Sequence, residues 1–437
     1  MLRSQAAAAE SQTLPPLKRL AAIVGGSAGN LVEWYDWFAY ASFTIYFAKA
    51  FFPKGDQTTQ WLQAAAVFAV GFLARPVGAW LMGIYADRVG RRAALSLSVA
   101  MMCAGSLIVA LVPGYRTIGV WAPATLTIAR LIQGLSVGGE YGASATYLSE
   151  MAGRGRRGFW SSFQFVTLIA GQLCALLVLI VLQHLLSTAA LETWGWRIPF
   201  VIGAGLAVVV FWIQLGLEET SSFAAARERD GERSKTMLLF LEHPKETAII
   251  FALTSAGSLA FYAFTTYMQK FLTNTAHFSK AEATEITAWS LVWYMLCQPA
   301  CGWLGDILGR RGVLAAGFGL LGLATWPILT ALSAQASPFL AFLLIAAALT
   351  MISGYTAMSA VVKAELFPAE IRALGVALPY AMANAVFGGT AEYVALWFKQ
   401  AGIESGFYIY VSAGCLIAFV VAARMRETQT TSRILED

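Results

Sequence analysis

Gly83-Ile84-Tyr85-Ala86-Asp87-Arg88-Val89-Gly90-Arg91-Arg92 returns later in the chain as Gly302-Trp303-Leu304-Gly305-Asp306-Ile307-Leu308-Gly309-Arg310-Arg311. The two copies lie 219 residues apart (302 − 83) and share Gly, Asp, Gly, Arg and Arg at one spacing. Each sits between two long apolar runs. A second echo follows: Glu150 precedes Arg157, and Glu365 precedes Arg372, both at an offset of 215 (365 − 150 and 372 − 157). An apolar chain built as two copies of one multi-helix unit reads as a two-fold transporter.

Composition agrees. Of 437 residues, 58% are hydrophobic and 13% charged, about half the ~25% charged share of a water-soluble domain. Apolar stretches long enough to cross a bilayer, about 20 residues each, follow one another almost without pause. They predict twelve spans, near 20–48, 59–84, 93–112, 121–149, 159–186, 197–216, 246–271, 284–304, 313–333, 338–363, 375–399 and 405–424. The expected fold is an all-α membrane protein with twelve transmembrane helices in two pseudo-symmetric six-helix bundles. These are 20–216 and 246–424, with an N-terminal tail 1–19, a polar linker 217–245 and a C-terminal tail 425–437. With both termini cytoplasmic, 20 of the 30 Lys and Arg fall in inner segments and three within spans. The remaining seven, Lys49, Lys54, Arg116, Arg197, Lys270, Lys280 and Lys399, fall in outer loops or outer helix ends. That bias fits the positive-inside rule.

Several functions are excluded. The net charge of +5 is concentrated in inner loops, so it is not a nucleic-acid signal. Cys103, Cys174, Cys297, Cys301 and Cys415 all lie in apolar runs, with no His or second Cys pair to complete a metal site. No nucleophile–base set points to an enzyme, and no cofactor or metal is expected. Gly25-Gly26-Ser27-Ala28-Gly29 lacks the Lys-Ser/Thr ending of a phosphate loop and reads as close helix packing.

The ionisable residues within spans carry the chemistry, because each is costly in a bilayer and needs a partner or a cavity. In span one, Asn30, Glu33, Asp36 and Tyr40 recur at spacings of three and four, on one face. Span four carries Arg130, with Gln133 beside it and Glu140 at its flank. The natural pairing is Asp36 or Glu33 with Arg130, either as a switchable proton couple or as a static pair. His184, His243 and His277 fall at span ends or in loops, leaving a buried carboxylate as the proton carrier. Arg75 lies 12 residues before Asp87, about 18 Å along a helix, and so inside the bilayer. It is expected to bind a substrate carboxylate or to pair structurally with Glu140 or Glu33. Arg130 is a second deep cation for such a ligand, because arginine grips carboxylates bidentately. Polar stripes add Gln164 and Gln172 in span five, Tyr262 and Thr266 in span seven, and Asn384 in span eleven, as substrate ligands or as helix glue. Asp87 with Arg91 and Arg92, Asp306 with Arg310, and Glu150, Glu365 and Lys363 are expected to form an inner gate.

Together these features resemble the major facilitator superfamily. The Asp87/Arg91/Arg92 loop and its copy match that family's best-known motif. Arg130-Leu131-Ile132-Gln133-Gly134-Leu135-Ser136-Val137-Gly138-Gly139-Glu140 matches its span-four motif, associated with proton coupling. Gly29-Asn30-Leu31-Val32-Glu33-Trp34-Tyr35-Asp36 and Trp194-Gly195-Trp196-Arg197-Ile198-Pro199-Phe200 resemble its metabolite:proton symporter branch. Gln164-Phe165-Val166-Thr167-Leu168-Ile169-Ala170-Gly171-Gln172 and Gly388-Gly389-Thr390-Ala391-Glu392-Tyr393-Val394 are similar to its 2-oxoglutarate carriers. The resemblance implies a monomer in a bacterial inner membrane, importing 2-oxoglutarate, a small organic anion, with protons by alternating access. It also implies a proton role for Asp36 opposite Arg130. Citrate, shikimate or betaine as solute, and a non-transporting sensor on the same fold, remain the alternatives.

Overall fold

The computed structural model describes residues 16–89, 91–137, 154–215, 242–334, 337–368, 371–432 and 434. Glu140, Glu150 and most of the expected linker lie outside the described residues, as do the side chains of Asp87, Arg91 and Arg92.

A backbone surrounded by lipid must satisfy its polar groups internally, and helices do so within one segment. Among the described residues the chain is twelve long helices and no strands. They are α1 (Pro16–Phe51), α2 (Gln57–Val89), α3 (Arg91–Leu111), α4 (Trp121–Val137), α5 (Phe163–Leu185, preceded by the short turn Arg157–Ser161) and α6 (Ile198–Leu215). The second set is α7 (Pro244–Phe264, continued by Met268–Asn274), α8 (Lys280–Leu308), α9 (Arg310–Ser333), α10 (Pro338–Leu366), α11 (Arg372–Ala383, resumed at Ala391–Gln400) and α12 (Ser405–Arg424). Seven of the helices are long and apolar enough by themselves to cross a membrane. Trp80, Trp212, Trp289 and Leu323 are among the large apolar side chains exposed on the outside of the bundle.

Local chemistry moves several ends from where hydrophobicity alone put them. α8 begins at Lys280 rather than near 284, because Ser279 and Glu282 form a reciprocal capping box. Two expected continuous helices are broken. In α7 both the amide and the hydroxyl of Thr265 turn to the Phe261 carbonyl, at 2.9 and 2.6 Å. The next rung runs from the Tyr267 amide to the Tyr262 carbonyl, five residues back, at 2.9 Å. In α11 the stretch Asn384–Gly388 widens into a π-turn, closed by Gly389 N–H on the Asn384 carbonyl at 2.8 Å. Glu392 therefore leaves the face that Tyr380 and Asn384 share, where a regular helix would have kept it.

By contrast α2 and α4 are locked at backbone contact. A Cβ on Gly134 would lie 2.0 Å from the Gly71 carbonyl oxygen, and a Cβ on Gly78 would lie 2.2 Å from that of Leu135. Only glycine permits this approach, and it carries Arg75 of α2 and Arg130 of α4 into the same interior. Gly134→Ala should therefore destabilise the folded protein by about 1–3 kcal/mol through overpacking. Gly312→Ala, where an added Cβ meets nothing within 4 Å, should be neutral. Thermal unfolding of the purified variants in detergent checks both.

Candidate substrate and coupling site

The site starts with the anchoring of α1. The Asn30 amide donates to Thr167 Oγ1 of α5 at 2.9 Å, Trp34 Nε1 donates to Asn30 Oδ1 at 2.9 Å, and the Tyr35 hydroxyl donates to the Pro199 carbonyl at 3.0 Å. These bonds fix the rotation of α1. Glu33, Asp36, Trp37 and Tyr40 are all buried as a result.

Two cations converge on one indole. The Arg75 guanidinium lies 4.1 Å from the centroid of the Trp37 ring, and that of Arg130 lies 3.9 Å from it. Arg75 also lies over Phe72 at 4.1 Å and Trp34 at 5.0 Å, and Arg130 over Tyr40 at 4.5 Å and Phe68 at 5.6 Å. Desolvated cation–π contacts are worth about 2 kcal/mol or more, enough to hold the charges in place without neutralising them. Arg75 is 5% exposed and Arg130 0%. On each, Nε and one Nη have no hydrogen-bond partner. A buried unpaired donor costs about 1–3 kcal/mol, so the two side chains together present a strong demand for acceptors. Glu33, Tyr262 and Tyr380 are the electrostatic neighbours of Arg75.

The expected pairing of Arg130 with Asp36 is made through an intermediary rather than by direct contact. Gln133, one helical turn on, stands between Asp36 and Arg130. Its Oε1 accepts from Arg130 Nη1 at 2.7 Å, and its Nε2 donates to Asp36 Oδ2. Gly105 of α3 makes room for this amide, since a Cβ there would meet Gln133 Cγ at 2.4 Å. Ser106, which the sequence reading missed, donates to the other Asp36 oxygen and accepts from Gln133 Nε2 at 3.1 Å. The only sequence signal for Ser106 was a small polar residue beside a glycine in α3. Carboxylate, amide and guanidinium thus form one relay, in which adding a proton at Asp36 changes what Gln133 can hold.

The second half supplies a neutral polar wall. Ser258, Tyr262, Tyr355, Thr356, Tyr380 and Asn384, with Phe165 and Leu168 of α5, line a tight cavity of about 10 Å³, the room one water needs. Tyr262 is hydrogen-bonded to Asn384 and packs on Phe38, Phe68 and Phe72 of the first half. Two cavity residues, Tyr262 and Tyr380, are also neighbours of Arg75. The expected ligands Gln164, Gln172 and Thr266 are buried but do not line this cavity, because the register of α5 turns Phe165 and Leu168 to it instead and Thr266 falls in the break of α7. Lys363, expected at the inner gate, donates to Ser359 at 2.7 Å and lies 4.3 Å from the Tyr380 ring centroid.

At one end of the bundle, the two halves meet through the repeated motif. Asp306 of α8 accepts the backbone amides of Gly158 and Phe159, ahead of α5, at 2.8 and 2.9 Å. Arg310 lies 3.4 Å from Asp306 and 3.0 Å from Glu365, and Arg157 of the other half is a neighbour of Glu365. Gly158 and Gly302 allow the contact: a Cβ on either would lie 2.6–2.7 Å from the other's carbonyl oxygen. The C-terminal segment joins in, with Glu427 accepting the Arg310 and Arg311 amides at 3.0 and 3.1 Å. This is the latch end.

At the far end the halves meet through neutral and ionic contacts. Gln183 donates to Thr284, Asn274 to Thr58 and Gln400 to Thr59, at 3.2, 3.0 and 2.9 Å, and Lys280 pairs with Glu192 at 3.0 Å. Lys270 corrects the sequence reading. Placed there at an outer helix end, it is 0% exposed, pairs with Glu392 of α11 at 2.7 Å and donates to the Ala41 carbonyl of α1 at 3.0 Å. The break in α7 turns it inward.

Comparison with known proteins settles the family. Residues 21–247 match the model described as Sugar (and other) transporter, and residues 250–436 match that of the Major Facilitator Superfamily. The chain is 52% identical over 405 residues to the alpha-ketoglutarate permease of Escherichia coli K12, covering 93% of each chain. The chain belongs to the major facilitator superfamily. It is 36% identical to a citrate-proton symporter of Klebsiella pneumoniae, over 85% of this chain and 83% of that one. Its fold matches the proton:xylose symporter XylE bound to 6-bromo-6-deoxy-D-glucose, with a TM-score of 0.75 at 17% identity, over 91% and 94% of the two chains. The superfamily's members named here are transporters rather than enzymes, and this chain is a membrane-spanning transporter of that fold.

Within this superfamily fold the Lys270–Glu392 pair offers a clean test of buried charge. Lys270→Met should destabilise the protein by about 3–5 kcal/mol, because it strands Glu392 as an unpaired buried carboxylate. The double variant Lys270→Met/Glu392→Leu should recover most of that loss. Unfolding temperatures of the single and double variants in detergent measure the difference.

Proposed function

We propose that this chain imports 2-oxoglutarate together with protons, by alternating access of one central site between the halves 20–216 and 246–424. The observation that carries this is the pair of buried guanidiniums around Trp37, each with unpartnered donors. A five-carbon dicarboxylate brings two acceptor groups of matching charge to two such cations. Its keto oxygen then meets the hydroxyl and amide wall of Tyr262, Tyr380 and Asn384. The name of the 52% identical permease supports the same solute.

The coupling reading uses the relay. As a carboxylate, Asp36 accepts from both Ser106 and Gln133. Once protonated it gains a donor and loses acceptor capacity, so the Gln133 amide must turn, and its hold on Arg130 loosens. Arg130 then offers a third donor position to the substrate. Carrying a dianion inward against the membrane potential costs about 4.6 kcal/mol per 100 mV, from 2.3 per charge, and co-transported protons offset this. The latch end is read as cytoplasmic, with both termini, from the bias of Lys and Arg, in a bacterial inner membrane.

The test is uptake of labelled 2-oxoglutarate into proteoliposomes, with and without an imposed pH gradient, competed by citrate, succinate and betaine. Absence of 2-oxoglutarate uptake together with uptake of labelled citrate would move the chain to the citrate branch. Asp36→Asn should keep solute exchange at equal pH and lose accumulation driven by the gradient; undiminished accumulation rejects the role of Asp36. Arg75→Ala should raise the half-saturation concentration at least about thirtyfold, the equivalent of about 2 kcal/mol for a lost buried charge pair, and normal uptake would leave Arg75 a packing residue.

A further inference from the structure

Lys270 and Glu392 take no part in the relay or in the cavity, yet both are buried in the interior of the bundle. We propose that Lys270, presented by Glu392, is a second carboxylate-docking point, at the far-end entrance of the passage, which receives the substrate before it reaches Arg75 and Arg130. The proposal rests on the transport reading above.

Three observations support it. The first is how Lys270 is divided between the halves. Its partner Glu392 belongs to its own half, at 2.7 Å, while Ala41, whose carbonyl it holds at 3.0 Å, belongs to the other. When the halves part at this end, the ion pair can stay and the carbonyl contact must break. The ammonium is then left with a donor directed at the opened passage, in a place where it already binds a carboxylate.

The second is continuity with the central site. Tyr40 is an electrostatic neighbour of both Glu392 and Arg130, and its ring carries the Arg130 guanidinium at 4.5 Å. One aromatic side chain therefore separates the docking point from the first guanidinium. Glu392 has a function in this arrangement. A bare ammonium would trap a dianion, whereas a pre-paired one binds it weakly enough to pass it on. The second carboxylate oxygen of Glu392 has no hydrogen-bond partner, so Lys270 alone holds that side chain in place.

The third is the backbone. Lys270 lies in Met268–Asn274, just beyond the break in α7, and Glu392 in the first turn of Ala391–Gln400, just beyond the break in α11. Both partners sit on short helical pieces that can tilt without the rest of their helices.

The experiment uses the full chain in vesicles whose far end faces the medium, with 2-oxoglutarate added to that side and binding followed by stopped-flow tryptophan fluorescence. Lys270→Met/Glu392→Leu should bind at equilibrium with a Kd within about twofold of wild type but associate about tenfold more slowly, the size expected for a lost steering charge. Lys270→Arg with Glu392 intact should restore the association rate. A double variant with the wild-type association rate overturns the proposal. So does one whose Kd weakens in step with its rate, which marks the pair as a packing lock. Wild-type protein that neither binds nor moves a dicarboxylate would instead sink the transport reading itself, and this proposal with it.

Discussion

Everything in the interior is arranged around two positive charges that cannot neutralise each other. Arg75 and Arg130 share the Trp37 ring, and each keeps its Nε and one Nη buried without a hydrogen-bond partner. Two like charges in low dielectric repel, and each carries a desolvation penalty. The fold sustains them in two ways. Aromatic faces supply attraction without acceptors, and the glycine-packed α2–α4 seam prevents either arginine from withdrawing. What remains is a set of buried guanidinium donors without hydrogen-bond acceptors, a demand that the proposed substrate would meet.

The two ends of the passage close by different chemistry. At the latch end a carboxylate caps backbone amides across the halves, and Arg310 lies beside that carboxylate. At the far end a lysine holds a neutral carbonyl, with side-chain amide and hydroxyl contacts around it. Charge-assisted bonds are worth about 1.5–3 kcal/mol each. Neither closure is large, and that suits a carrier, because a lock much stronger than the substrate's own binding energy would hold it in one state.

The repeat, the twelve spans, and the placement of Arg75, Arg130 and Asp36 in the interior were all legible from spacing and polarity. What was not legible followed from local hydrogen bonding. The rung from the Tyr267 amide to the Tyr262 carbonyl, five residues back, interrupts α7, and Lys270 lies buried on the piece beyond it; a hydropathy profile sees only a lysine near a span end. The π-turn at Asn384 likewise separates Asn384 from Glu392, which a regular helix would have put on one face. Gln133 standing between Asp36 and Arg130 was hidden for another reason. Periodicity places residues on a face but does not say which of two neighbours is nearer to a third. Ser106 could be found only from the packing of α3 on α4.

These features divide labour between the halves. The first half is stiff where it matters, with α2 and α4 at backbone contact and α1 pinned to α5 and α6 by Asn30, Trp34 and Tyr35. It carries the arginines, the Asp36 carboxylate and the amide that links it to Arg130, groups that the proposed exchange of a proton for a carboxylate would need at fixed distances. The second half carries neutral hydroxyl and amide groups on helices that break beside the site. The pieces beyond the breaks carry Lys270 and Glu392 as an ion pair of no net charge, so tilting them together would avoid moving a net charge through the bilayer interior, the costly step in any rearrangement here. On the proposed mechanism such a carrier would keep its two arginines stationary and move its hydrogen-bonding wall, with the breaks in α7 and α11 as the hinges.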